Sequence, residues 1–62
     1  MDIFEINYNR LMKMSKRQIA LESVERGFLS PRSVDYKIRT WSKILMAREL
    51  ADRIERKELR GY

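Results

Sequence analysis

In 62 residues the backbone is told to change direction at one internal place. Gly27 and Pro31 bracket it, within the stretch GFLSPRSVDYKIRTW at positions 27 to 41, and the only other glycine, Gly61, stands next to the end. Glycine and proline are the strongest local punctuators of a chain. No stretch alternates apolar and polar residues except the short DIFEIN. Helical periodicity is therefore the dominant signal. The sequence predicts an all-α fold, a single helical domain over residues 1–62. It should be helix-turn-helix-like, with three or four helices and a long C-terminal helix. A domain of this size buries only about 60% of the surface its unfolded chain exposes. Its core is thin, and self-association would add to it.

The first helix is expected from Ile3 to Lys13, where Phe4, Tyr8 and Leu11 recur at helical spacing. Ser15 has the chemistry of an N-cap, and Gln18 three residues later completes a capping box. A second helix then runs from Lys16 to Arg26, with Leu21 and Val24 on one face and Ala20 beside them. The competing reading is one helix from Ile3 to Arg26 with Ser15 exposed. Gly27 suits the residue after the helix, which often needs positive φ. Ser30 caps the next segment, and Pro31 suits a first helical position, where a missing N–H is no loss.

From Pro31 the helical signal continues to Leu59. Val34, Ile38, Trp41 and Leu45 form one stripe, with Trp41 as a core residue. Ile44, Ala47, Ala51 and Ile54 form another, on a different side of the same ideal helix. The drift calls for a bend near residues 45 to 47 or for a second packing partner, and no glycine or proline locates a bend. The second stripe lacks an obvious partner within the chain. It is therefore assigned to a homodimer or partner interface. Glu49–Arg53 and Asp52–Arg56 read as surface pairs, each contributing about 0.2–0.5 kcal/mol to a helix. Met12, Met14 and Met46 are ordinary core and rim, or an adaptable partner surface.

Much chemistry is excluded by what is missing. The chain has no cysteine and no histidine. Disulfides, thiolate chemistry and zinc sites are thus not expected. There is no glycine-rich phosphate loop and no serine with an evident base, so neither an enzyme nor a cofactor is expected. The longest apolar run is ILMA at 44 to 47, whereas a membrane span needs about 20 apolar residues. MDIFEINYNR has neither the cationic start nor the apolar stretch of a secretory leader. A cytoplasmic protein without a membrane partner is expected.

Charge points to the partner. Fourteen Lys and Arg against nine Asp and Glu give a net charge of +5, and the isoelectric point is near 10.0. Such a balance in a small domain suggests a polyanion. Positions 6 to 18 hold Arg10, Lys13, Lys16 and Arg17 without an acid, and positions 36 to 48 hold Lys37, Arg39, Lys43 and Arg48 without one. Two such blocks on neighbouring helices suit the two sides of a phosphate track.

In a helix-turn-helix one helix packs behind while the next enters the major groove. Val34, Ile38 and Trp41 supply the inner face of such a reading helix. Arg32, Ser33, Asp35, Tyr36, Lys37, Arg39, Thr40 and Lys43 surround them. Arg32, Ser33, Asp35, Tyr36, Lys37, Arg39 and Lys43, with Lys13 and Arg17, are the candidate DNA-binding residues. Arg32 and Lys37 are expected on phosphates and Arg39 on a base edge. Asp35 either pairs with Arg39 four residues on or accepts from a cytosine amino group. Duplex DNA is the expected partner. The chain would be a compact transcription regulator or accessory factor, of the minimal kind common in phages and mobile elements. The rival reading is a protein-interaction module, an inhibitor or adaptor docking its C-terminal helix on an acidic protein surface. Structured RNA would suit the charge, but no aromatic stacking platform is evident.

The run VERGFLSPRSVDYKIRTW resembles the reading-helix segment of the LuxR/GerE family of bacterial regulators. That family favours Leu-Ser, Pro, a basic residue, Ser or Thr, and then Val, and Leu29, Ser30, Pro31, Arg32, Ser33 and Val34 fit in order. WSKILMARELADRI is similar to the family's closing helix. The resemblance covers about residues 24 to 54. Ile19-Ala20 stands several residues earlier than the family's Ile-Ala pair. KILMA replaces the glycine expected between its last two helices. The resemblance implies a DNA-binding helix-turn-helix with base contacts at Asp35, Tyr36 and Arg39, and phosphate contacts at Arg32 and Lys37.

Overall fold

Four α-helices succeed one another in the computed structural model, which describes residues 2–60. They are α1 (Ile3–Met12), α2 (Lys16–Glu25), α3 (Val34–Thr40) and α4 (Lys43–Arg60), and a single 3₁₀ turn (Pro31–Ser33) leads into α3. No strand forms among the described residues. The fold is all-α, with a long C-terminal helix, as expected. None of these helices is long and apolar enough to cross a membrane.

Local chemistry sets the first two boundaries. Asp2 caps α1 by accepting from the Glu5 N–H at 2.7 Å. Ser15 Oγ accepts from the Gln18 N–H at 3.1 Å, and Gln18 Oε1 accepts from the Ser15 N–H at 2.9 Å. This reciprocal capping box starts α2 afresh. The single-helix reading of residues 3 to 26 is thereby excluded.

At the other end of α2, Gly27 has φ +80°. The Gly27 N–H bonds the Val24 carbonyl at 3.0 Å, and the Phe28 N–H bonds the Ser23 carbonyl at 2.9 Å. The pair forms a Schellman motif. The space where a Cβ would lie is open, so a side chain here is penalised by backbone conformation alone. Gly27→Val is expected to lower stability by about 1 kcal/mol or more. Gly27→Asn should cost less, because Asn tolerates the left-handed region. Thermal melts check this, and an unchanged midpoint for the valine variant would contradict the role given to Gly27.

The helical signal from Pro31 to Leu59 is divided between two helices, α3 and α4. Trp41 has extended backbone, φ −108° and ψ 143°. Ser42 then starts α4: its Oγ accepts from the Leu45 N–H at 3.2 Å, and its carbonyl accepts from the Met46 N–H at 3.0 Å. A serine cap thus does the work expected of glycine or proline, and it acts before residues 45 to 47. The first stripe is cut: Val34 and Ile38 lie in α3, Trp41 in the break, and Leu45, half exposed, in α4 with the second stripe.

The core is Leu11, Ile19, Ala20, Val34, Met46, Ala47, Leu50, Ala51 and Ile54. α1 packs along α4, and α2 packs on both α3 and α4. The interface assigned to Ile44, Ala47, Ala51 and Ile54 is therefore corrected. Ala47, Ala51 and Ile54 are buried within their own chain, and the missing partner of that stripe is α1. Ile44 alone among the four is exposed, at 51%. Leu21, expected inside, is half exposed, while Ile19 joins Ala20 in the core. Ile19 and Leu21 are two residues apart, which on a helix puts them on opposite sides. Trp41, Met12 and Met14 pack partly buried against this core.

Candidate nucleic-acid interface

α3 is short, and side chains from two other helices hold it in place. Val34 is buried beneath it, and Ile38 packs partly buried against the core. Lys16 Nζ donates to the Ile38 carbonyl at 3.0 Å, which satisfies one of the carbonyls that a helix end leaves open and suits the negative end of the helix dipole. Arg17 Nη2 reaches Asp35 Oδ1 at 3.3 Å. On the other side, Lys37 bonds Glu49 of α4, and its ammonium lies 4.0 Å from the centre of the Trp41 ring. A cation over an aromatic face gains further attraction when partly desolvated.

With its back fixed in this way, α3 turns Asp35, Tyr36 and Arg39 outward, and the 3₁₀ turn ahead of it presents Arg32. All four are exposed, and Tyr36 retains 62% of its surface. Their spacing of three and four residues puts them on one helical side, away from Val34. Arg32 and Arg39 form no ion pair among the described residues, nor do Lys13 and Lys43. Lys13 is exposed at the end of α1, and Lys43 is half-buried at the start of α4.

Several expected sites are corrected. Lys37 is not on the outer face. Its side chain is only 16% exposed and its charge is taken by Glu49, so it braces the fold and does not face a phosphate. Asp35 pairs with Arg17 rather than Arg39. Ser33 is half-buried. Arg17 stays exposed but shares its charge with Asp35.

The first basic block is compensated in space. Arg10 grips Glu22 with both terminal nitrogens, at 2.7 and 2.8 Å, and Arg26 Nε adds a bond to the same carboxylate at 2.9 Å. This ties α1 to α2. Bonding to Arg10 holds the Glu22 carboxyl below its ordinary value, with Arg26 adding to the effect, while Glu22 raises Arg10. A carboxyl lowered in the folded state contributes stability that is complete above its unfolded value and lost as pH falls through the folded one. Melting temperature should therefore fall on acidification. Glu22→Gln should cost about 1 kcal/mol at neutral pH and flatten the acid limb. Parallel acid profiles in the two proteins would contradict it.

The arrangement has the parts of a docking surface: a braced helix, an amphipathic aromatic side chain at its centre, and around it cations that form no ion pair among the described residues. Compared with known proteins, the chain matches no family model, no curated relative and no solved structure.

Proposed function

We propose that the protein binds duplex DNA with the outer face of α3 and acts as a small regulatory or accessory factor. The observation that carries this reading is the exposed row formed by Arg32 of the 3₁₀ turn and Tyr36 and Arg39 of α3, a helix whose opposite side is fixed by Val34, Lys16, Lys37 and Trp41. Arg39 is the candidate for a guanine edge, to which arginine donates two bonds. Arg32 sits where the chain enters α3 and is assigned to a phosphate, with Lys13 and Lys43 on flanking phosphates. Tyr36 lies between Arg32 and Arg39, placed for a sugar or a base. The likeness of Leu29 to Val34 to a LuxR/GerE reading helix supports the same assignment.

A second reading rests on a different observation. Ile44 and Leu45 are both half exposed at the start of α4, and they suit docking on a protein surface or on a second copy of the chain. The separating experiment is binding to a generic duplex as salt is raised. Steep loss of affinity supports the DNA reading. No binding at low salt transfers the weight to Ile44 and Leu45.

A further inference from the structure

We propose that the groove along the C-terminal half of α4 is a second phosphate-binding surface, seating the DNA backbone that flanks the stretch bound by α3. This inference rests on the DNA reading above. The groove measures about 680 Å³ and is lined by Glu49, Asp52, Arg53, Arg56, Lys57 and Arg60. Four cations face two carboxylates, and those carboxylates are largely occupied. Glu49 is held by Lys37 of α3 and reaches Arg53 only at 4.0 Å. Asp52 holds Arg56 at 3.1 Å. Lys57 and Arg60 form no ion pair among the described residues, so the groove retains a surplus of positive charge.

The cations are also seated. The Arg53 guanidinium carbon lies 5.7 Å, and Lys57 Nζ 5.8 Å, from the centre of the Phe28 ring. An aromatic seat orients the long stems while the charged heads stay in solvent. Cations in a last helical turn also offset the helix dipole. That accounts for Lys57 and Arg60, but it does not call for the place of Arg53 over Phe28. Phe28 lies in the turn between α2 and the 3₁₀ turn, four residues before Arg32. Glu49, at one end of the groove, touches the underside of α3 through Lys37. The groove thus borders both the entry to α3 and its base. The Phe28 turn, which leads to Arg32, is the link between the groove and the α3 site, and phosphodiester groups are the anions that a row of arginines and a lysine neutralises in sequence.

The test uses the whole chain, a fluorescein-labelled generic duplex and anisotropy titrations over a range of salt. Lys57→Ala with Arg60→Ala should reduce the slope of log affinity against log salt by about two units, since each phosphate contact contributes roughly 0.9. Arg60→Ala alone, at an exposed side chain, should reduce it by about one. Lys57→Arg with Arg60→Lys should leave it unchanged. An unaltered slope in the alanine variants, with tight binding by the parent, overturns the groove assignment and leaves α3 in place. A parent chain that ignores duplex at low salt fails the α3 reading itself. Loss of binding to vesicles of phosphatidylglycerol, with duplex binding intact, likewise overturns the assignment to DNA.

Discussion

Ile54→Lys is expected to unfold the chain, not to separate a dimer into folded monomers. Ile54 is 2% exposed, beside Leu50 at 1% in the same core. Truncating a buried isoleucine to alanine costs about 2–5 kcal/mol. An ammonium in that place adds the penalty of an unpaired buried charge. The whole domain has little to lose, since native stability amounts to roughly 0.05–0.15 kcal/mol per residue. Helical circular dichroism should be absent at every protein concentration. Ile44→Lys is the matched control. Ile44 is half exposed, so the change should move stability by no more than about 0.5 kcal/mol. A fully helical Ile54→Lys monomer in sedimentation would show that the side chain is not a core residue and would restore the interface role.

What could be read from the sequence was what is settled within a few residues. The capping box of Ser15 and Gln18, the positive φ of Gly27 and the Ser30-Pro31 restart each close over no more than five residues. The break at Ser42 was not legible. A lone serine is a weak cap signal inside a continuing helical pattern, and the extended turn at Trp41 goes with the Lys37–Trp41 and Lys37–Glu49 contacts, which exist only once α4 has folded back. The basic blocks misled for the same reason. Arg10 and Lys37 each find a carboxylate twelve residues further along the chain, beyond the reach of a local charge count. The exposure of Arg32, Tyr36 and Arg39 was legible, because it needed only a helical period and an apolar opposite face. The drift of the second stripe was a true signal of a second partner, and that partner is α1.

The largest effect expected on binding is that of salt. If Lys13, Arg32 and Lys43 each neutralise a phosphate, log affinity should fall with log salt at a slope near −2.7, about 0.9 per contact. Between about 50 and 200 mM salt the affinity for a generic duplex then drops roughly 40-fold. Contacts from the α4 groove would steepen it further. The outward arginines should behave differently from one another. Arg32→Ala should weaken binding to all sequences alike and reduce the slope by about one unit. Arg39→Ala should cost about 1–3 kcal/mol on a preferred site and less on random DNA. Lys37→Met should leave the salt slope unchanged, since its charge is spent on Glu49. Equal losses from Arg32, Lys37 and Arg39 would mean that charge alone is being read.

The central claim is that the outer face of α3 meets the duplex, and backbone-amide chemical-shift mapping with a short duplex tests it most directly. The account predicts shifts concentrated from Arg32 to Lys43 and at Lys13 to Arg17, across the junction of α1 and α2, with a second set along α4 from Arg53 to Arg60. Shifts confined to Ile44 and Leu45 and their neighbours, or none at all, would contradict it.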